Sequence, residues 1–559
     1  MKPADHARRR RFLGRILPVA IICAGLSVAL AGCGGSNAHT APASTHAASS
    51  NSSLMSIFGS DTQLNANPAR TIGILKGLGV QVVRTSIFWA NVLSNYTYPT
   101  RRPAQLKPTD PGSYPAQGWA LPDKIDRAAA AAGVPLFVTI TGPIPVWAAG
   151  PGRGTQFPVT WKPSPAAFGD FVRAVGTRYS GHYTPPGQRT PLPRIHFWSI
   201  WNEPNYGSRL TPQVNSGGQP VSPQLYRGLV AAAWKGLQGT GHTTRTDTIL
   251  IGETAPFGVE PAHIGANHKV VPEMVPLAFI RALYCVDPSF RPLRGSAATR
   301  IGCPASSSGF KAGNPALFSA SGWAVHPYTG GKAPSAPVTG PGSADFTSFA
   351  ALPRLESTLD RAARAYGSNA KLSIYSTEFG FLTNPPNPGT TTVSPQNAAT
   401  YMNEAEYLSW RNPRIRSFNQ YELIDPSASR HGNFDTGLKF YGGSHDVFAG
   451  RPKPSFNAYR MPLWLPKTRS TRQTRLQVWG CARAAPLAAR TTRRQQRVQI
   501  QFAPAHGHYR TVRTMTLNPA KQGCYFNTFV RFPRSGTVRL AWSGAGAVQY
   551  SRTQAISIH

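Results

Sequence analysis

The chain has 559 residues, which is too long for one ordinary hydrophobic core, so two or more domains are expected. Hydrophobic residues make up 41% of the sequence and aromatic residues 10%, as is usual for globular proteins. Lys and Arg total 59 against 22 Asp and Glu, a formal net charge of +37, while 53 Gly and 52 Pro predict many long loops.

The N-terminal segment has the composition of an export signal. The basic stretch MKPADHARRRRFLGR precedes the apolar stretch ILPVAIICAGLSVALAG, which is short for a membrane-spanning helix. The sequence LAGC at 30–33 resembles the lipobox of bacterial lipoproteins. The resemblance implies a signal peptide at 1–33, lipidation of Cys33, and export to the outside of a bacterial membrane, where the lipid anchors the chain. An uncleaved anchor and a soluble secreted protein are the alternatives. Residues 34–50, rich in Gly, Ala, Ser and Thr, are predicted to be a flexible linker.

Between about 51 and 465, short apolar runs alternate with longer stretches of helical periodicity. Eight runs are predicted to be strands, at 53–59, 80–89, 135–142, 195–202, 248–255, 322–328, 372–381 and 415–424. Helices are predicted between them, at 123–133, 164–179, 222–237, 272–284, 354–367 and 394–410. Continuous apolar strands indicate a parallel sheet buried on both faces, and eight β/α units predict an α/β fold, the (β/α)8 TIM barrel. A doubly wound open sheet is the alternative, but no G-x-G-x-x-G loop follows the first strand.

The pattern changes after residue 465. Short alternating strands separated by turn residues predict a small all-β, immunoglobulin-like sandwich domain at 466–559. This segment contains sixteen Lys and Arg, whereas no Asp or Glu follows Asp446. The imbalance predicts contact of this segment with an anionic envelope polymer, whereas the basic excess of the barrel segment is better explained by high-GC base composition. A nucleic-acid partner is not expected, because the chain is exported and has no recognised binding motif.

Four cysteines remain outside the signal segment. They allow three pairings, and proximity favours Cys285–Cys303 and Cys481–Cys524, one disulfide in each domain. Export to an oxidising compartment permits both bonds. A zinc site is the alternative, but the sequence has no C-x-x-C pair with a nearby His, so neither a metal nor another cofactor is expected.

Two carboxylates stand at the ends of predicted strands. Glu203 ends the fourth strand and Glu378 the seventh, and active sites of (β/α)8 barrels lie at the carboxyl ends of the strands. The motifs WNEPN at 201–205 and YSTEFGF at 375–381 resemble the two signatures of clan A glycoside hydrolases, such as the family 5 cellulase-like and family 39-like enzymes. The resemblance covers about 53–460, where KPSFNAYR is similar to the closing segment of many such domains.

The resemblance implies a retaining glycosidase that cleaves O-glycosidic bonds, expected to be β, of a polysaccharide or oligosaccharide by double displacement. Glu203 is then the acid/base and Glu378 the nucleophile, with their carboxylates about 5–5.5 Å apart. Asn202 would bind the sugar 2-hydroxyl, and Arg84 would hydrogen-bond the nucleophile. The clan pattern also places a His and a Tyr at the end of the sixth strand, which here are His326 and Tyr328.

Further substrate contacts are predicted at other strand ends. Trp89, Trp147 and Trp201 are possible sugar platforms, with core packing as the alternative. Glu253 either binds substrate hydroxyls, which is the prediction, or pairs with an arginine. At 421–422 the eighth strand ends in Tyr-Glu where the clan often has a Trp platform, so a different subsite is expected. The alternative function is a catalytically inactive lipoprotein that binds carbohydrate or the cell envelope on the same barrel.

Overall fold

The computed structural model of the chain describes residues 54–94, 97–152, 158–259, 273–426, 434–544 and 546–559. The predicted signal peptide, the lipidation at Cys33 and the predicted linker lie outside the described residues. Among the helices that the structure describes, none combines the length and the hydropathy that crossing a membrane requires.

Eight parallel strands close into a barrel in the order in which they occur along the chain. They are β1 (Met55–Gly59), β2 (Val82–Phe88), β3 (Leu136–Thr141), β4 (Phe197–Ile200), β5 (Thr248–Thr254), β6 (Gly322–Val325), β7 (Ser373–Ser376) and β8 (Ile415–Tyr421). The predicted (β/α)8 barrel is confirmed, because β8 pairs with β1 and closes the sheet. Most predicted strands extend beyond the observed ones at their carboxyl ends, where the chain leaves the barrel for its rim.

Helices follow every strand and surround the barrel. They are α1 (Asp61–Ala66), α2 (Pro68–Gly77), α3 (Trp89–Ser94), α4 (Ala116–Ala132), α5 (Pro165–Arg178), α6 (Ser222–Gln238), α7 (Pro276–Leu283), α8 (Gly295–Thr299), α9 (Phe310–Gly313), α10 (Pro315–Ser319), α11 (Leu352–Arg364), α12 (Pro395–Arg411) and α13 (Pro454–Arg460). All six predicted helices are present. Ser164 and Ser394 cap α5 and α12 by accepting a backbone N–H three residues later.

Apolar side chains fill the N-terminal half of the barrel. Alternate residues of a strand point to the same face, so inward-facing side chains of neighbouring strands meet inside the barrel. Six buried residues from six neighbouring strands form a separate apolar cluster: Ile57, Val82, Phe137, Phe197, Leu250 and Ala324. The next inward positions toward the carboxyl ends are polar, as with Arg84 on β2 and Thr139 on β3. A polar chamber therefore lies above a closed hydrophobic floor.

The C-terminal region is a two-sheet sandwich. Its strands are β9 (Leu463–Trp464), β10 (Arg469–Ser470), β11 (Leu476–Cys481), β12 (Arg497–Pro504), β13 (Arg510–Thr516), β14 (Tyr525–Val530), β15 (Gly536–Trp542), β16 (Gln549–Tyr550) and β17 (Gln554–Ile558), with helices α14 (Ala485–Thr492) and α15 (Pro519–Gln522). One sheet has the order β10-β17-β15-β12-β13 with β16 beside β15, and the other has the order β14-β11-β9. Both sheets contribute to one core, for example Val478 and Phe526 from one and Ile500 and Leu540 from the other. The predicted sandwich is confirmed.

The sandwich begins before the predicted boundary at 466. Trp464 of β9 pairs with Trp479 of β11, and the buried side chains of Met461 and Leu463 belong to the sandwich core. A two-residue strand such as β9 has no alternation of its own, so the sequence pattern does not reveal it. The structure therefore moves the start of the region to about 461.

The sandwich covers the N-terminal end of the barrel. Gly79, in the loop that leads into β2, lies so close to the sandwich that a Cβ there would be 2.3 Å from the backbone oxygen of Arg483. Its φ of +84° also favours glycine. Glu406 of α12 is fully buried at this contact, where it accepts hydrogen bonds from Arg483 at 2.7 Å and Tyr525 at 2.8 Å. These contacts lie on the side of the barrel away from the carboxyl ends of the strands.

The two predicted disulfides are confirmed. Cys285 is bonded to Cys303 in the segment that follows α7, and Cys481 is bonded to Cys524 between β11 and the residue before β14. All four cysteines are buried. Each bond closes a loop within one part of the molecule, so neither crosslinks the barrel to the sandwich.

Candidate active site

The backbone turns sharply where β4 and β5 end. Trp201, Glu203 and Glu253 have φ values of 66°, 48° and 46°, in the left-handed region that costs a non-glycine residue about 1–3 kcal/mol. The amide of Glu203 donates to the backbone oxygen of Glu253 at 3.0 Å, which ties the two strand ends together. Glu253 is the extra residue of a bulge in β5. Strained backbone thus sets the direction of two carboxylates at the rim.

Arg84 of β2 joins three of the predicted site residues. Its Nη1 donates to Glu378 Oε2 at 3.1 Å, and its Nη2 donates to Asn202 Oδ1 at 2.9 Å and to Glu253 Oε2 at 3.0 Å. The side chain is only 5% exposed. Burial by itself lowers the pKa of Arg84, but Glu253 and Glu378 raise it above its ordinary value. Arg84 is therefore a fixed cation beneath the carboxylates, and its two terminal nitrogens donate to different carboxylates.

Glu253 does not face the substrate. Its side chain has no exposed surface, and besides Arg84 its oxygens accept from Thr139 Oγ1 at 3.1 and 3.3 Å. The prediction that Glu253 binds substrate hydroxyls is corrected to the alternative, an ion pair with an arginine. A buried arginine needs a buried counter-charge, and Glu253 supplies it while leaving the second guanidinium nitrogen free for Glu378. Glu253 is a positioning residue.

Glu378 follows β7 and receives a hydrogen bond on each carboxylate oxygen. Arg84 donates to Oε2, and Tyr328 Oη donates to Oε1 at 2.9 Å. Burial, and after it the Glu378 carboxylate, raise the pKa of Tyr328 well above its ordinary value, so the phenol keeps its proton and remains a donor. The two donors fix the plane of the Glu378 carboxylate.

Glu203 is paired with His326 of the segment after β6. His326 Nδ1 lies 2.9 Å from Glu203 Oε1 and 3.8 Å from Glu378 Oε2. Burial alone raises the pKa of Glu203, but the hydrogen bond and charge of His326 bring the pKa below its ordinary value. Burial likewise lowers the pKa of His326, and the carboxylates of Glu378 and Glu203 outweigh it and raise that pKa. In the free site the pair therefore holds one proton, on the imidazolium side.

Glu203 and Glu378 face each other at short range. One oxygen of each carboxylate and one ring nitrogen of His326 all lie within 4.8 Å of one another. Retaining glycosidases hold their two carboxyl groups about 5–5.5 Å apart, whereas inverting enzymes need about 6.5–9.5 Å to admit a water. The same three groups are the only set, among the residues that the structure describes, with the spacing of metal ligands. Arg84, whose Nη1 lies 3.1 Å from Glu378 Oε2, opposes a cation there by charge repulsion.

Two of the three tryptophans are core residues. Trp89 is 1% exposed and stacks on Phe171 with ring centroids 5.6 Å apart, and Trp201 is fully buried against Phe168. The prediction that they are sugar platforms is corrected, because the rings point away from the rim into the layer between strands and helices. Trp147 is half-buried, with its ring edge-on to Trp89, and its role as a platform stays a prediction.

The sequence interpretation missed Asp61, which lies just beyond the end of β1. Tyr421 Oη donates to Asp61 Oδ2 at 3.0 Å, and burial raises the pKa of Asp61 against the lowering effect of Arg84. The ring of Tyr421 reaches this place because Gly59 leaves room: a Cβ at Gly59 would be 2.9 Å from Tyr421 Cδ2. Asp61 follows its strand as Glu203 and Glu378 follow theirs, so inspection of all eight strand ends would have found it.

Aromatic side chains pack around Tyr328, the residue that donates to Glu378. Phe434 packs edge-on to Tyr328 with centroids 5.3 Å apart and lies 5.8 Å from the ring of Tyr421. Glu422, the residue after Tyr421, is 4% exposed, and burial raises the pKa of its carboxyl group well above the ordinary value. The Tyr-Glu sequence at the end of β8 thus places a phenol and a carboxyl group where the sequence analysis expected a departure from the clan pattern.

Comparison with known proteins finds similarity in structure alone. No protein-family model matches the sequence, and no curated protein matches it. A family 39 glycoside hydrolase from Bacteroides cellulosilyticus WH2 is 12% identical, with 86% of this chain and 82% of that chain covered and a TM-score of 0.42. The family 1 β-glucosidase from Thermotoga maritima is 16% identical, with 70% and 84% covered and a TM-score of 0.42. A Bacteroides uniformis β-glucuronidase is 11% identical, with 88% and 43% covered and a TM-score of 0.36. These neighbours are glycoside hydrolases, but likeness at this level carries no argument about activity.

Proposed function

We propose that the chain is a retaining glycoside hydrolase that cleaves β-configured O-glycosidic bonds of an oligosaccharide or polysaccharide. The observation that carries the proposal is the arrangement of Glu203 and Glu378, whose oxygens approach within 4.8 Å in two different electrostatic settings. Glu378 accepts hydrogen bonds from Arg84 and Tyr328, and Glu203 shares a proton with His326. Two carboxylates in unlike surroundings are what acid and nucleophile roles require.

In the first step a carboxylate oxygen of Glu378 attacks the anomeric carbon. The bond from that carbon to the leaving oxygen breaks, and Glu203 donates a proton to this oxygen. The proton comes from the Glu203–His326 pair, since His326 Nδ1 lies 2.9 Å from the acid. As Glu378 becomes an ester it loses its negative charge, and Arg84 keeps a full partner in Glu253. A covalent glycosyl-enzyme remains.

In the second step a water molecule replaces the departed group. Glu203, left as a carboxylate by the first step, takes a proton from this water while the water oxygen attacks the anomeric carbon. The bond to Glu378 breaks, and its carboxylate returns to the hydrogen bonds from Arg84 and Tyr328. Each step inverts the anomeric carbon once, so the product has the configuration of the substrate.

The stereochemistry of the product tests the proposal directly. Proton NMR during hydrolysis of a panel of aryl β-glycosides is expected to show the β-anomer of the free sugar first, before mutarotation. The expectation follows from the proposed double displacement, in which each of the two steps inverts the anomeric carbon once. An α-anomer formed first would contradict the retaining mechanism. Binding of glycans without turnover of any of them would favour the inactive, carbohydrate-binding alternative.

We further propose that the chain is exported and anchored to a bacterial membrane through lipid on Cys33. Support comes from the sequence, in which a basic and then apolar N-terminal segment ends in LAGC. The variant Cys33→Ser is expected to move the protein from the membrane pellet to the soluble fraction and to abolish incorporation of labelled palmitate. Cys23→Ser, which changes a cysteine within the apolar stretch, is the matched control and should stay in the pellet. Palmitate incorporation in Cys33→Ser would rule out this anchor.

A further inference from the structure

The outer face of the six-stranded sheet is polar and faces solvent. On β12 the side chains of Val498, Ile500 and Phe502 are buried in the sandwich core. Successive side chains of a strand alternate between faces, so Gln499 and Gln501 point outward. On β15 the same rule directs Thr537 and Arg539 to the outer face, and Gln501 stands directly opposite Arg539 in the pairing of the two strands.

Arg539 is held rigidly in the middle of this face. Its guanidinium lies 3.8 Å from the ring centroid of Tyr509 and 3.9 Å from that of Tyr550, so a tyrosine covers each flat side. Its Nε donates to Gln501 Oε1 at 2.9 Å, and Tyr509 is itself fixed by a 2.9 Å hydrogen bond between its hydroxyl and Thr537 Oγ1. Among the residues that the structure describes, neither terminal nitrogen of Arg539 has a hydrogen-bond partner.

The neighbouring side chains supply groups that bind hydroxyls. Gln499 Oε1 accepts from Gln501 Nε2 and from Thr511 Oγ1, each at 3.1 Å, which leaves the amide nitrogen of Gln499 unused. Arg497 is exposed further along β12, with its Cα about 13 Å from that of Gln501. The face therefore presents guanidinium groups separated by amides and hydroxyls.

No acidic side chain balances these cations. The sequence has no Asp or Glu after Asp446, and the only ion pair of a sandwich cation within the described residues joins Arg483 to Glu406 of the barrel. An anion that approaches Arg539 is therefore attracted by the cations of this face, and no Asp or Glu side chain of the sandwich repels it. The free edge of a planar guanidinium binds a carboxylate through two parallel hydrogen bonds, and stacking between two rings pre-organises that edge.

We propose that this face, the Arg539 face, formed by Arg497, Gln499, Gln501, Tyr509, Arg539 and Tyr550, binds the carboxylate-bearing sugars of an acidic polysaccharide. Arg539 takes a sugar carboxylate, and Gln499 and Gln501 take neighbouring hydroxyls. A membrane surface fits less well, since the tyrosine rings are occupied by the guanidinium rather than free to insert. The sandwich covers the N-terminal end of the barrel, so binding here holds the protein on a polymer and leaves Glu203 and Glu378 free at the other end.

Binding of the full-length chain to immobilised polygalacturonate tests this proposal, with dextran as the neutral polymer. At about 0.15 M salt we expect the wild type to bind polygalacturonate and not dextran. Arg539→Gln should weaken binding about tenfold, whereas Arg531→Gln, which removes the same charge from an exposed position beside the other sheet, should change it less than about twofold. Hydrolysis of an aryl glycoside should be the same in all three proteins.

A second variant separates geometry from charge. Arg539→Lys keeps the cation but loses the planar fork, so we expect it to bind nearly as weakly as Arg539→Gln, with an unchanged thermal unfolding midpoint. Equal losses in Arg539→Gln and Arg531→Gln would overturn the proposal, because general charge would then explain binding. Wild-type binding by Arg539→Lys would overturn it too. Tighter binding to anionic phospholipid vesicles or to duplex DNA than to polygalacturonate would assign the face to another partner.

Discussion

Replacement of Glu378 by alanine is expected to lower kcat/KM on aryl β-glycosides by on the order of 10⁴-fold or more. In the proposed mechanism this carboxylate forms the bond to the anomeric carbon. Arg84 and Tyr328, which donate to its two oxygens, would be left facing a small cavity. The loss should fall on kcat, because the interaction removed is made in the transition state.

Added azide gives this prediction its sharper test. The anion fits the cavity beside Arg84 and attacks the anomeric carbon from the side that Glu378 occupied, so Glu378→Ala should release the α-glycosyl azide. Glu356→Ala, on α11 and hydrogen-bonded to Asn412 away from the rim, is the matched control and should keep wild-type activity without azide product. A β-azide from Glu378→Ala, or a loss equal to that of the control, would show that Glu378 is not the nucleophile.

Much of the fold and the central pair of carboxylates can be predicted from sequence because one rule covers both. A parallel barrel buries both faces of its strands, so a continuous apolar run predicts a strand. The first polar residue after the run predicts where the strand reaches the rim of the barrel. Glu203, His326 and Glu378 each stand directly after such a run, and the structure brings them together. Asp61 obeys the same rule, because it follows β1 by two residues.

The roles of the remaining site residues depend on the direction in which each side chain points, and the sequence pattern does not specify that direction. Trp89 and Trp201 look like platforms because they end strands, but their rings turn outward into the core behind the sheet. Glu253 looks like a binding residue, yet a bulge turns it inward to neutralise Arg84. A single-residue register shift reverses which face a side chain occupies, and no pattern in one sequence fixes such a shift.

Replacement of Glu203 by alanine is expected to affect substrates unequally. General acid catalysis contributes about 10²–10⁴-fold, so hydrolysis of glycosides with poor leaving groups should fall by that amount. A dinitrophenyl glycoside needs no proton on its leaving oxygen, so the glycosyl-enzyme should still form and then accumulate as a burst. Azide should release it as the β-glycosyl azide, the opposite anomer to that from Glu378→Ala, because the anion now enters on the side of the departed acid. An α-azide from Glu203→Ala would exchange the two roles.

The pH profile should identify the proton that Glu203 delivers. In the free wild type the Glu203–His326 pair keeps its single proton up to the raised pKa of His326, above the ordinary value of 6.5. Activity on a poor leaving group should therefore fall as pH rises through that pKa, since the acid is then lost. In Glu203→Ala with the dinitrophenyl glycoside, this alkaline decline should vanish, because bond cleavage no longer needs the proton. Measurement of kcat/KM between about pH 5 and 9 decides the matter: an alkaline decline that persists unchanged in Glu203→Ala would place the titrating acid elsewhere.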